Sequence, residues 1–136
     1  MVHTLTVLTL QLAKAIGLYM LAAGIGIQSA PDRFRAIFDD LERVPGLSFL
    51  FGITAFAIGT AILIPHHILY DPLSIVVTVI AVLAAIEGLL LLAAPQVMIA
   101  IGRPFMASIR LWGIVSIVLG LILFLAGLTG RADALP

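Results

Sequence analysis

Four long apolar runs dominate the chain: Leu5–Ser29, Leu47–Ile64, Leu73–Ala94 and Phe105–Leu128. A helix rises 1.5 Å per residue, so about 20 residues cross a hydrocarbon core of about 30 Å. The second run has 18 residues and no charge, and the fourth is charge-free from Leu111 to Leu128. These runs predict an all-α membrane protein with four transmembrane helices in one domain over residues 1–136. The composition agrees. Of 136 residues, 62% are hydrophobic and 10% charged, against about 45–50% and about 25% in soluble chains. A globule this small could not hide so much apolar surface. Disorder, which needs low hydrophobicity and high charge, is excluded as well.

Seven basic and seven acidic side chains cancel, leaving no basic face for nucleic acid. The absence of cysteine excludes disulfides, iron–sulfur clusters and thiol nucleophiles. The first run lacks a basic leader, Lys14 interrupts it, and Pro31 follows the small pair Ser29-Ala30. It is therefore expected to be an uncleaved span.

Arginine placement sets the expected orientation. Arg33, Arg35 and Arg43 lie between spans one and two. Arg103 lies between spans three and four, with Arg110 just beyond, and Arg131 alone lies in the C-terminal tail. The 30–46 and 95–104 loops are thus expected in the cytoplasm, with both termini and the 65–72 loop outside.

The chain also repeats itself. Gly24 precedes Pro31 by seven residues and Gly88 precedes Pro95 by seven; Gly52–Gly59 and Gly113–Gly120 share that spacing. Both prolines follow alanine. Pro31 to Gly52 is 21 residues and Pro95 to Gly113 is 18. The pattern predicts two tandem parallel helical-hairpin repeats, about 5–64 and 73–128, related by an axis along the membrane normal. Small residues every two turns (Gly17-Gly24, Gly52-Gly59, Ser74-Ala81-Gly88, Gly113-Gly120-Gly127) form stripes on which helices approach closely in lipid. The stripes fit a tight four-helix core or a contact with another chain.

Between the first two spans, Phe34, Ile37, Phe38, Leu41 and Val44 recur at helical spacing, with charges on the other face. Pro31–Val44 is expected to be an amphipathic interfacial helix with Ser29 as a cap, lying with its phenylalanines down. It could serve as a surface connector or dock a cytoplasmic partner. The matching piece, Pro95–Pro104, holds only Gln96 and Arg103 as strongly polar residues and is expected to be a short kinked link.

An ionisable side chain inside a span costs a few kcal/mol and is a functional candidate by default. Glu87 lies eight residues before Pro95 and Lys14 seventeen before Pro31. Their depths are then about 12 Å and about 25 Å, too different for a direct pair. Lys14 is expected to snorkel outward, with Asp71 or Gln11 as a partner. Glu87 is expected to meet Arg110, or to be protonated. His66 and His67, with Asp71 near, are weak candidates for a metal, because adjacent side chains converge poorly on one ion; interfacial histidines are the plainer expectation. No nucleophile–base pair, phosphate loop or paired carboxylates appear, so catalysis and a cofactor are not expected.

Ile86-Glu87-Gly88-Leu89-Leu90, Ala94-Pro95 and Ile109-Arg110-Leu111-Trp112-Gly113, then Gly120-Leu121, resemble the YjeT-like family over about residues 82–126. That family comprises small bacterial inner-membrane proteins with two helices and no established activity. This chain departs from it in having Gln96-Val97-Met98 after the proline, in place of a basic and aromatic cluster, and in its doubled hairpin. Glu87 and Arg110 would be the family-like polar positions. Gly24-Ile25-Gly26 followed by Pro31 and Phe34 also resembles DoxX-like four-helix membrane proteins. Either resemblance implies a bacterial inner membrane.

The expected function is that of a non-enzymatic structural or accessory subunit of a larger membrane assembly, its partners the bilayer and either another membrane protein or itself. One alternative is a small oligomeric transporter or channel using Glu87, Lys14, Gln11 and Gln28. The other is a redox subunit holding a cofactor through His66 or His67.

Overall fold

A computed structural model describes residues 3–4, 7–66 and 71–132. Among these residues six helices follow in order: α1 (Val7–Ser29), α2 (Pro31–Arg43), α3 (Pro45–Leu63), α4 (Pro72–Ala93), α5 (Pro95–Ala107) and α6 (Ile109–Thr129). A two-residue parallel pairing joins β1 (His3–Thr4) to β2 (Arg131–Ala132). Helices α1, α3, α4 and α6 are long and apolar enough to cross a membrane. The protein is a multi-pass, all-helical membrane protein.

Proline sets the helix starts. Pro31, Pro45, Pro72 and Pro95 each open a helix, where a missing N–H costs nothing. Each also forces its predecessor out of the helical region, which ends or bends the preceding segment. Ala30 (φ −148°, ψ 71°) and Ala94 (φ −147°, ψ 69°) take the same backbone conformation, and each leads into a helix of 13 residues.

The Ser29 hydroxyl does not cap α2. It donates back to the Ile25 carbonyl at 2.8 Å, and Ala30 holds the cap position without a side-chain bond. Ser29 is the last residue of α1, where back-bonding to the preceding turn competes with capping. The 95–104 segment is not a short link, because α5 continues through Pro104 to Ala107. Pro104 lies inside α5, where it has no N–H to offer the Ala100 carbonyl one turn earlier. The fourth span consequently begins at Ile109, and Phe105 belongs to α5. The Phe105 ring meets Trp112 edge-on across the turn, with centroids 4.8 Å apart.

The closest packing is between the two halves of the chain. α1 lies along α6, and α3 lies along α4. Glycine permits both approaches. A Cβ on Gly17 would fall 2.6 Å from the Gly120 carbonyl oxygen, and one on Gly59 would fall 2.8 Å from that of Ala81. Close backbone approach of this kind is what holds helices together in lipid. The two pairs share a small core of Ala13, Leu73, Val77 and Leu123, at the end where α1 and α4 begin. At the opposite end α2 packs against α5.

Candidate functional site

The polar chemistry gathers at the two ends of the bundle. At the end where α1 and α4 begin, His66 is fully buried. Its Nε2 lies 2.8 Å from the Thr9 hydroxyl on α1 and its Nδ1 lies 3.1 Å from the Thr78 hydroxyl on α4. Its backbone N–H donates to the Ile62 carbonyl at 2.9 Å. A neutral imidazole has one donor and one acceptor nitrogen, and a hydroxyl can meet either. His66 therefore ties the end of α3 to α1 and α4, with its ring buried among protein groups. His67 lies outside the described residues. Among the described residues no group of three or more metal-ligating side chains forms.

Asp71 caps α4. Its carboxylate accepts from the Ser74 backbone N–H at 3.0 Å, while Ser74 Oγ accepts from the Asp71 backbone N–H at 3.2 Å. Lys14 pairs with neither Asp71 nor Gln11. Its stem crosses the face of Gly127 on α6, where a Cβ would fall 2.8 Å from the Lys14 Cγ. The bare glycine makes room for that stem. Gln11 is exposed on α1.

The second cluster lies at the α2–α5 end. Arg103 of α5 pairs with Glu42 of α2, stands 3.9 Å from Asp39, and sits over the Phe38 ring at 5.4 Å from its centroid. Phe38 in turn fills the space beside Gly102, where a Cβ would approach its ring within 2.8 Å. Arg35 pairs with Asp32 at 2.8 Å, and its Nε donates to the Met106 carbonyl at 3.0 Å. Phe34, Ile37, Phe38 and Leu41 are all half-buried. Phe34 faces Gly26 of α1, so the apolar side of α2 meets protein as well as lipid.

Between α2, the first turn of α3, and α5 runs an open trough of about 700 Å³. Leu41, Pro45, Ile99 and Pro104 line it, with Glu42 and Arg103 among its polar residues. Beside it a hollow of about 90 Å³ is lined by Glu87 together with Phe38, Leu91 and Met98.

Glu87 is exposed on α4 and makes no ion pair with Arg110 among the described residues. The reason is the pairing of helices: α4 lies on α3, whereas α6 lies on α1. Arg110 serves instead through its backbone, where its carbonyl accepts from Gln28 Nε2. Gln28 thereby fastens the end of α1 to the start of α6, against Gly113. Lys14 and Gln28 both lie against α6, at Gly127 and Gly113, whereas Glu87 is on α4. Gly24, Gly52, Gly59, Gly88, Gly113 and Gly120 are buried in the two seams.

Sequence reading missed the Thr9–His66–Thr78 link and the Arg103 cluster. The signal for the latter is that α5 contributes one cation opposite an acidic α2. No family model, curated protein or solved structure matches the chain.

Proposed function

We propose that this chain is a non-enzymatic structural or accessory subunit of a larger membrane assembly, and that the α4 face around Glu87 receives the partner. One observation carries this reading. Glu87 is exposed on a helix long enough to span the membrane, and it makes no ion pair among the described residues. A carboxyl group on a spanning helix, beside the apolar hollow of Phe38, Leu91 and Met98, is costly without a donor, and a donor from a neighbouring protein removes that cost. The flanking exposed Leu83 and Ile86 give the same face an apolar border.

The arginines support a bacterial inner-membrane orientation with the α2–α5 end in the cytoplasm. Arg33, Arg35, Arg43, Arg103 and Arg110 belong to that end, and Arg131 alone to the other. The internal repeat and the resemblance to YjeT-like and DoxX-like proteins fit a small inner-membrane component of this kind.

The test is gentle extraction from native membranes with a photo-crosslinker at Leu83 or, as a control, at Ile122 on the outer face of α6. The reading expects one unlike membrane protein in stoichiometric yield, trapped from Leu83 and not from Ile122. Glu87→Leu should abolish its recovery while the helical circular dichroism is unchanged. Recovery of a monomer or homo-oligomer alone would overturn it.

A further inference from the structure

We propose that the trough between α2, α3 and α5 holds one phospholipid with a primary-amine, zwitterionic headgroup of the ethanolamine type. Its position comes first. The trough lies beside Pro45 and Pro95, where the apolar spans α3 and α4 begin and end. That is the level at which hydrocarbon gives way to headgroups. Its volume of about 700 Å³ falls within the range of small-molecule sites. Its walls of Leu41, Ile99 and Pro104 suit an acyl chain.

Charge selects the headgroup. Arg103 is the cation here, and it faces two carboxylates, Glu42 and Asp39. The local balance is one positive against two negative, which disfavours a purely anionic lipid. A zwitterion matches both signs: its phosphate meets Arg103 and its ammonium meets Glu42, which lines the trough, while Asp39, outside the lining but 3.9 Å from Arg103, adds its negative charge. All three side chains are about half exposed, so a headgroup can reach them. The uncapped first turn of α3 borders the same trough and adds a positive end to it. An ammonium donates hydrogen bonds to carboxylates, whereas a choline group has no N–H to donate. The site therefore distinguishes ethanolamine from choline. This inference is independent of the Glu87 face.

The experiment uses the full chain, purified in nonionic detergent, freed of lipid, and offered equimolar phosphatidylethanolamine, its N,N-dimethyl derivative, phosphatidylcholine and phosphatidylglycerol. Native mass spectrometry reads the adducts. One ethanolamine lipid per chain is expected, about tenfold over choline, the worth of one charge-assisted hydrogen bond. The dimethyl lipid should fall between them, and the glycerol lipid below the ethanolamine. The double variant Asp39→Asn, Glu42→Gln should bring the ethanolamine-to-choline ratio to about one. Equal retention of ethanolamine and choline lipids by the unmodified chain would overturn the proposal, as would preference for the glycerol lipid. Because the headgroup series is read on the unmodified chain, it decides the matter even if the double variant fails to fold.

Discussion

Gly88 of α4 lies so close to α3 that a Cβ added to it would stand 2.7 Å from the carbonyl oxygen of Gly52. On the other pair, Gly24 of α1 stands in the same relation to Gly113 of α6, also at 2.7 Å. The seams are therefore backbone-to-backbone, and a single methyl group should separate them. Gly59→Ala places its methyl 2.5 Å from the Ala85 nitrogen, with backbone that cannot swing aside. A loss of about 1–3 kcal/mol is expected, as for other overpacked interiors. Gly46→Ala meets nothing within 4 Å and should be neutral or slightly stabilising. Thermal unfolding of the two variants in one detergent compares them directly.

His66 offers a second comparison. It joins Thr9 and Thr78 from two different helices while its own backbone extends α3. His66→Ala removes both side-chain bonds, each worth about 0.5–1.5 kcal/mol, and leaves a buried hole. The unfolding midpoint should fall. Amide exchange should rise first where α1 and α4 begin and leave the α2–α5 end unchanged. Uniform exchange across the bundle would show that His66 does not hold that end.

The four spans were legible because each is a long apolar run, and their ends because proline stands at four helix starts. The helix α5 was not. Its apolar residues are spread around it, and Pro104 interrupts the pattern, so nothing in the periodicity separates a helix from a link. Which spans pair was hidden for a different reason. A stripe of small residues marks a face without naming the helix opposite, and all four spans carry one. Glu87 and Arg110 looked like partners on depth alone, but they belong to different pairs. His66 follows a proline in a connection, where solvent is the usual surrounding. Its burial depends on two threonines 57 residues before and 12 after it.

Arg103 links α2 to α5 from a half-exposed position. Ion pairs of this kind contribute little to global stability, about 0–1 kcal/mol. Arg103→Gln should therefore leave the unfolding midpoint almost unchanged. It should nevertheless free α2, whose packing on α5 runs through Arg103, Phe38 and the Arg35–Met106 bond. Hydrogen exchange over Pro31–Arg43 is the measurement, with faster exchange there and none in α3. Unchanged exchange over α2 would mean that Phe38 beside Gly102 suffices to hold it.

The orientation is open to the most direct test, since the chain has no cysteine to interfere. Asp40 lies on α2, at the arginine-rich end, and Ile64 lies at the far end of α3 with 77% of its surface exposed. Single Asp40→Cys and Ile64→Cys variants in intact cells should differ toward an impermeant maleimide. Ile64→Cys should react from outside, and Asp40→Cys only after the membrane is permeabilised. This follows from five arginines at one end against one at the other, because positive residues in short loops resist translocation. Neither site lies where substitution disturbs a seam, so the labelling reports topology and not folding. The reverse pattern would place α2, α5 and the trough between them on the outer side of the membrane.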